Sequence, residues 1–525
     1  MFKKPTFILI ILLVIFLGVY FWLVTPINTG LDISHRFDWP DETANYFWIR
    51  NYADTNQLIL PEPLNLVAAN QIYPRSFNVM ADGTLVPGSF LGLILLYGIL
   101  AKVFGNGIII YLTPLFAVFG VFAFYGIIKL IFGQRVAILS AILMLFNPVW
   151  WYYSATSMLP NVTFISCFLI SIFFLLKVKK ESLSLLILSA FFAGLTFSIR
   201  PSEIIWLLAV YLTVLLYHRD KFNFWRLVLF LLIVVLIIVP SFYNQKILYN
   251  SWLVSGYSQL DKLDEISCEV CQITKSVILP FGFHPMLAAY NFWVYYLSRF
   301  WWLALLSILG FVAFLAKKGR QEPEQFNYIL LSIFIGGWLI IYYGSWQFSD
   351  LLTVHLNTLG LSYVRYWLPL YIIVLPFSAF GLIWLTNIFR RRLSGVVLFL
   401  LLVFLFYKSA DLVLQAKPDS LLPVRERIAT YKQNAAAVFE VTELDSVIIT
   451  VRKDKLFFPE RRVIHTFEAL SLNNQIMALL PALLKVVPVY YYALGPEPSL
   501  DLSDGIHLEL VKNVGQEILY KIEAK

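Results

Sequence analysis

Residues 6–25 read TFILIILLVIFLGVYFWLVT and contain no charged side chain. An α-helix of this length is about 30 Å long, which matches the hydrocarbon core of a bilayer. The basic residues before it resemble the start of a signal peptide, but no small-x-small cleavage site follows. We therefore expect this stretch to be a retained membrane anchor.

The rest of the chain has the same apolar character. Of its 525 residues, 59% are hydrophobic and 14% are charged, a composition that excludes a soluble globular protein of this length. The apolar runs are near-continuous over about 17 to 25 residues and lack the alternation of an outer-membrane barrel. The sequence therefore predicts an α-helical polytopic membrane protein.

Lysine and arginine cluster between the apolar runs, and the positive-inside rule places such clusters in the cytoplasm. The clusters are Lys3 and Lys4, Lys129 to Arg135, Lys177 to Lys180, Arg219 to Arg226, Lys317 to Arg320 and Arg390 to Arg392. They account for most of the net charge of +8, so no nucleic-acid partner is expected. The assignment gives about eleven transmembrane helices, at 6–25, 107–130, 136–152, 160–176, 183–199, 203–217, 226–243, 299–316, 327–343, 363–387 and 394–412.

One apolar stretch, Ser89 to Phe104, is left over. Counting it as a span would invert every later loop, so we expect an amphipathic or re-entrant helix in the interface. The first loop (26–106), the long loop (244–298) and the C-terminus then lie on the extracytoplasmic side. The membrane is expected to be the cell (plasma) membrane.

The composition changes from about Ala416, where charged residues reappear between short alternating runs. We expect a soluble extracytoplasmic α/β domain at 416–525 after a transmembrane domain at 1–415. A terminal hairpin is predicted to turn at Gly515. The other predicted elements are strands at 446–451, 462–467 and 487–493 and helices at 424–439 and 472–484.

The first outer loop carries an acidic pair in an aromatic setting, FDWPDETANYFW at residues 37–48. Asp41 and Glu42 lie where water, lipid headgroups and a lipid-linked substrate meet, so they are candidates for a general base. The alternative is structural, because Pro40 followed by acids is typical of a helix N-terminus.

Five further segments follow in order: AKVFG (101–105), FGQR (132–135), NPVWWYYS (147–154), SIRPSE (198–203) and RYWLP (365–369). With the acidic first loop, they resemble segments of the C-type (GT-C fold) membrane glycosyltransferases. The nearest group is the protein O-mannosyltransferase and aminoarabinose-transferase-like enzymes. The resemblance covers about residues 1–415.

The resemblance implies a polyprenyl-phosphate sugar as donor, a hydroxyl of a protein, lipid or glycan as acceptor, and inversion at the anomeric carbon. Asp41 would be the base, because a neutral hydroxyl is a poor nucleophile until its proton is taken. The leaving phosphate gains negative charge, which a fixed cation must stabilise. Arg365, Arg200 and His284 are the candidates for binding the donor phosphate.

Each of these basic residues also has a structural interpretation. Arg365 can be an interfacial anchor, and Arg200 can be neutralised by Glu203 three residues later. His284 can cap a short helix. Arg75 and His35 in the first loop are further candidates for acceptor or phosphate contacts.

A divalent metal is a further possibility. Asp41 and Glu42 give too few oxygen ligands for a dedicated cation cage, although water and donor phosphate could complete a weak Mg²⁺ or Mn²⁺ site. The second outer loop, residues 152–161, adds no carboxylate. Cys268 and Cys271 are expected to form a local disulfide rather than a zinc site.

Three other functions are compatible with the sequence. A non-catalytic membrane scaffold could keep the same fold, and an oligosaccharide ligase or polymerase could use the same lipid carrier. A transporter is the third, but the charged residues cluster at the outer ends of the spans and not at the bilayer midplane.

Overall fold

The computed structural model describes residues 4–179, 182–257, 278–316, 322–347, 359–360, 362–497, 499–502 and 505–524. Its helices are α1 Lys4–Val24, α2 Pro40–Thr55, α3 Leu91–Phe104, α4 Ile109–Phe132, α5 Gln134–Phe146, α6 Pro148–Ser154, α7 Pro160–Lys177, α8 Leu183–Ile199, α9 Ile204–Tyr217, α10 Phe224–Tyr249, α11 Pro285–Phe292, α12 Trp301–Leu315, α13 Pro323–Gly344, α14 Ser362–Tyr366, α15 Leu368–Ile373, α16 Leu375–Asn387, α17 Arg391–Leu414, α18 Leu421–Phe439, α19 Asp454–Phe457 and α20 Asn474–Leu483. Its strands are β1 Phe77–Val79, β2 Leu85–Pro87, β3 Val447–Val451, β4 Arg462–Thr466, β5 Val489–Ala493, β6 Asp501–Leu502, β7 Ile506–Val514 and β8 Glu517–Ala524. The predicted helical architecture is confirmed.

Seven spans in the described ranges are long and apolar enough to cross a bilayer on their own. Three bent pairs raise this number to ten if each pair is one span. Both numbers lie below the predicted count of about eleven. The difference between ten and eleven arises at α8 and α9, which the sequence counts as two spans and which meet at a bend of 107°. Pro201 lies at this bend and cannot donate a helical hydrogen bond.

The chain divides into two compact units. The first comprises residues 1–24, 110–240 and 265–423, and the second comprises residues 25–109, 241–264 and 424–525. The first outer loop therefore packs with the C-terminal region, a grouping that a division of the chain at residue 415 did not anticipate.

In the first unit, α12 and α16 pack backbone against backbone. A Cβ atom added to Gly310 would lie 1.7 Å from the carbonyl oxygen of Phe377, and one added to Gly381 would lie 2.4 Å from that of Leu306. Small residues allow such close crossings in membranes, where apolar burial alone does not drive helices together.

In the second unit, six strands form one mixed sheet in the order β4-β3-β5-β8-β7-β6. Strands β4, β3 and β5 run parallel, and β8, β7 and β6 continue the sheet in antiparallel pairs. The predicted hairpin is present, with Gly515 at a positive φ of 65° between β7 and β8. The predicted Ser89 to Phe104 helix is α3, which packs against α2.

The first outer loop completes this sheet. Its Ala68 and Ile72 are buried in the same apolar cluster as Val447 and Ile464. Its backbone at Tyr73 forms a parallel bridge with Ile464 in the edge strand β4. This pairing covers an edge that would otherwise expose unpaired peptide groups.

We expect Gly310→Ala to lower the midpoint of thermal unfolding in detergent. The added methyl group must push α12 and α16 apart, at a cost of about 1–3 kcal/mol for overpacking. Gly337→Ala in α13 is the matched control, since nothing lies within 4 Å of its added Cβ. Equal midpoints for the two variants would contradict the close crossing.

Candidate active site

The acidic pair opens helix α2. Pro40 is its first residue, where a fixed φ and a missing N–H are tolerated, and Asp41 and Glu42 lie in the first turn. Negative charge is favourable there because it faces the positive end of the helix dipole. The Glu42 carboxylate is buried and accepts a hydrogen bond from the N–H of Trp39 at 3.4 Å. Glu42 thus makes the helix-capping contact of the structural interpretation.

Asp41 is half-buried, and a residue outside its own helix binds its carboxylate. Ser76 Oγ donates a hydrogen bond to Asp41 Oδ1 at 2.6 Å. Ser76 has a φ of 66°, in the left-handed region that non-glycine residues rarely adopt. Its carbonyl oxygen accepts a hydrogen bond from the N–H of Gly88, and a Cβ on Gly88 would lie 2.5 Å from that oxygen. This close approach fixes Ser76 and, through it, one oxygen of Asp41.

Asp38, three residues before Asp41, is buried in a charged cluster. Arg427 donates to its two carboxylate oxygens at 2.9 and 2.6 Å. Lys455 donates to its carbonyl oxygen and lies 3.6 Å from its Oδ1. Burial raises the pKa of Asp38, but Lys455 and Arg427 outweigh it and hold the pKa below its ordinary value. Asp38 is therefore an ionised structural anchor.

Two more ion pairs join the same segments of the second unit. Buried Arg36 donates to Glu460 at 2.7 Å. The Arg75 guanidinium donates to Asp454 Oδ1 at 2.7 Å, and the backbone N–H of Arg75 donates to Oδ2 at 2.8 Å. Arg75, a candidate phosphate contact in the sequence, is thus engaged by a carboxylate of the C-terminal region.

His35 is half-buried, with its ring edge-on to Phe37 at 4.4 Å. Burial lowers the pKa of His35 to about 3, and the charges of Lys432 and Arg36 act in the same direction. The imidazole is therefore neutral near pH 7, and a neutral ring does not supply the positive charge expected of a phosphate contact.

In the first unit, the bend between α8 and α9 places Arg200 and Glu203 inside the protein, both at most 6% exposed. Arg200 Nη2 lies 3.3 Å from Glu203 Oε1 and donates to the Tyr343 hydroxyl at 2.9 Å. The Tyr343 hydroxyl donates to Glu203, and Trp206 Nε1 donates to the other Glu203 oxygen at 2.6 Å. The predicted Arg200–Glu203 pair is therefore one part of a larger polar network.

Arg365 belongs to the same group of side chains. Its guanidinium lies 5.0 Å from the ring centre of Tyr366, and that of Arg200 lies 5.1 Å from the same centre. Tyr366 stacks on Tyr343 at 5.0 Å. The structure thus brings together two of the predicted phosphate-binding arginines, both buried.

The other candidates lie differently. His284 is exposed, its N–H donates to Ser345 Oγ at 3.1 Å, and its carbonyl oxygen accepts from Ala288 in the first turn of α11. Cys268 and Cys271 lie outside the described residues, so their disulfide stays a prediction.

An apolar cavity of about 140 Å³ lies among α4, α7, α9, α13 and α15 of the first unit. Trp206, the residue that binds Glu203, lines it, and so do Tyr217, His218 and Glu324. From Trp206 to Tyr217, helix α9 rises about 17 Å. The cavity thus runs along the helix from the polar network.

Comparison with known proteins addresses the fold. Residues 91–243 match the family model of dolichyl-phosphate-mannose-protein mannosyltransferase, which is less than a third of the chain. The structure of ArnT from Cupriavidus metallidurans in the apo state is similar, with a TM-score of 0.54, 11% identity and 97% of each chain covered. The chain has the GT-C fold of membrane glycosyltransferases. ArnT bound to undecaprenyl phosphate gives a TM-score of 0.50 at the same identity and coverage.

The GT-C fold confirms the predicted resemblance and an integral membrane protein. AglB of Archaeoglobus fulgidus, in complex with an inhibitory peptide and a dolichol-phosphate, also matches, with a TM-score of 0.49 and 12% identity over 93% of this chain and 69% of that one. A search of the curated proteins finds no match.

Sequence reasoning missed two features of this GT-C chain. Arg299 is buried with its guanidinium 5.3 Å from the ring centre of Tyr295, and an arginine at the start of an apolar span is the signal that would have found it. The partners of Asp38 were also missed. Within the described ranges, no group of three or more His, Cys, Asp or Glu side chains lies close enough together to hold a metal ion.

The pKa of His35 predicts an acid-sensitive fold. The unfolded residue binds a proton below pH 6.5, whereas the folded one does so only below about 3. Stability should therefore fall as the pH drops through 6.5, by up to about 2 kcal/mol between pH 7 and 5. We expect His35→Gln to reduce this loss in thermal unfolding measured at both pH values.

The control for this experiment is His507→Gln, which changes a histidine with a side-chain exposure of 39%. Identical pH dependence in wild type and His35→Gln would contradict a half-buried His35 that is neutral near pH 7.

Proposed function

We propose that this chain transfers a sugar from a polyprenyl-phosphate donor to an acceptor hydroxyl with inversion. The GT-C fold supports the class of reaction. The observation that carries the proposal is the Asp41 carboxylate, half-buried at the start of a helix and fixed at 2.6 Å by Ser76. The acceptor can be a protein, a lipid or a glycan.

Asp41 would act as the general base. Its carboxylate takes the proton of the acceptor hydroxyl while that oxygen attacks the anomeric carbon of the donor sugar. The bond from the anomeric carbon to the phosphate oxygen breaks, and its electron pair leaves with the polyprenyl phosphate. A single displacement of this kind inverts the anomeric configuration. Glu42 would support it by fixing the start of α2.

Arg200 and Arg365 would stabilise the leaving phosphate. Guanidinium groups offer paired N–H donors that match phosphate oxygens, and their charge acts more strongly in a site that excludes water. Both guanidinium groups lie within 5.1 Å of the centre of the same ring, that of Tyr366. His284 is proposed as a further donor contact.

The cavity beside Trp206 is the proposed site for the first isoprenoid units of the donor. Apolar side chains form most of its lining, which suits a hydrocarbon chain and not a sugar. We place the reaction on the extracytoplasmic face of the plasma membrane, as the positive-inside rule suggests.

Metal dependence is also a proposal. Asp41 and Glu42 would need water and donor phosphate to complete a Mg²⁺ or Mn²⁺ site. Turnover measured after EDTA treatment, and again after each metal is restored, tests this point.

Replacing the base is the first test. We expect Asp41→Asn to lower turnover of radiolabelled polyprenyl-phosphate sugars by about 10²–10⁴-fold, because the amide cannot accept the proton. Asp54→Asn on the same helix is the control, since Asp54 is half exposed, lies 3.7 Å from Arg50, and accepts a hydrogen bond from Asn106 at 2.9 Å that an asparagine oxygen can also accept. Unchanged turnover in Asp41→Asn would refute the assignment of the base.

A transporter would move solute into sealed vesicles without cleaving the donor.

Replacing the leaving-group cation is the second test. We expect Arg365→Lys to lower turnover by about 10²-fold, because lysine keeps the charge but loses the paired donors of the guanidinium, one of which binds the Tyr366 hydroxyl at 3.1 Å. Arg390→Lys, at an exposed position, is the control. Turnover of Arg365→Lys equal to that of this control would contradict a phosphate contact.

A further inference from the structure

We infer that helix α19, a single turn in the C-terminal region, positions the Asp41 carboxylate for reaction. This inference rests on the proposed function and adds Asp454 and Lys455 to it as positioning residues. Neither is expected to touch the donor or the acceptor.

Lys455 holds the segment that leads into the acidic helix. It is 9% exposed, and its ammonium group donates to the carbonyl oxygen of Asp38 and lies 3.6 Å from the Asp38 carboxylate. Arg427 holds the same carboxylate from α18. Only Trp39 and Pro40 separate Asp38 from Asp41, so this anchor fixes where α2 begins.

Asp454 holds the segment that reaches Asp41 from the other side. It is 1% exposed and accepts hydrogen bonds from the guanidinium and from the backbone N–H of Arg75. Ser76 follows Arg75 in the chain, and its hydroxyl donates a hydrogen bond to Asp41. Two adjacent residues of α19 therefore control both chain segments that meet at the proposed base.

The residues that follow extend the same contact. The carbonyl oxygen of Leu456 accepts a hydrogen bond from Arg36 at 2.9 Å. The ring of Phe458 packs against Phe47 at 4.9 Å and Phe77 at 5.0 Å. Phe47 lies on α2, and Phe77 follows Ser76. Residues 454–458 therefore form one continuous stretch that contacts both the acidic helix and the segment around Ser76.

A general stabilising role is the alternative, and the chain offers a matched control for it. Arg462 pairs with Glu62 at 2.9 Å and also joins the first loop to the C-terminal sheet. Neither residue contacts Asp38, Arg75 or Ser76 in any described hydrogen bond. Loss of this pair should weaken the second unit without disturbing Asp41.

The first measurement needs no activity. Hydrogen exchange of the full-length protein in detergent, followed by mass spectrometry, reports the order of residues 37–48 and 73–79. We expect Lys455→Met and Asp454→Asn to speed exchange in both segments about tenfold or more, and Arg462→Gln to leave residues 37–48 as in wild type. Lys455→Arg should restore slow exchange.

The second measurement separates positioning from binding. With the same radiolabelled donors, Lys455→Met should lower kcat about tenfold or more while KM for the donor stays within about twofold, because small misplacements of a reacting group are costly. Lys455→Arg should recover most of kcat, and Arg462→Gln should retain it. If Asp454→Asn does not fold, the exchange rates and kcat of Lys455→Met alone test the inference.

The inference is overturned if Lys455→Met matches Arg462→Gln in both exchange and kcat. A wild-type protein that turns over no polyprenyl-phosphate sugar would instead refute the proposed function. In that case the exchange data alone would still show whether α19 fixes the start of α2.

Discussion

Buried ion pairs between the first outer loop and the C-terminal region are the constraint on which the second unit depends. Burial of a charge is costly, and the cost is offset only if a partner is held in good geometry. Arg36 with Glu460, Asp38 with Arg427, and Arg75 with Asp454 meet this condition at closest distances of 2.6–2.7 Å, and Lys455 lies 3.6 Å from the Asp38 carboxylate. Removal of one partner would leave a buried charge, so these contacts specify one arrangement of the two segments.

Apolar packing and ion pairs play different parts in this loop. Between Thr25 and Ile109 it has two α-helices, which pack against each other, and two three-residue strands. Apolar contacts of Ala68 and Ile72 with the sheet are non-directional. Ion pairs and hydrogen bonds are directional, so they can fix a carboxylate such as Asp41 where apolar packing only keeps the loop attached.

The sequence predicted the features that depend on local patterns. Residues 6–25, the hairpin at Gly515 and the helix start at Pro40 are each set by neighbours in the chain, and each is present. The partners of Asp38 lie 389 and 417 residues away, and no local pattern joins them. Apolar length predicted the spans but does not show the bend at Pro201, and the count depends on whether α8 and α9 are taken there as one span or two.

Three of the candidate residues lie next to a proline that begins a helix or helical turn. Asp41 and Arg200 flank prolines that begin helical turns, and His284 directly precedes Pro285 at the start of α11. A proline disfavours the helical region for the residue before it. Accordingly, Trp39, Arg200 and His284 have ψ of 142°, 78° and 74°. The chain turns at each of these points, so their side chains project from a helix end, where peptide groups without helical partners and the helix dipole are also found. These three prolines therefore mark helix ends at which charged or titratable side chains lie in an apolar protein, while the fold determines the partners of each side chain.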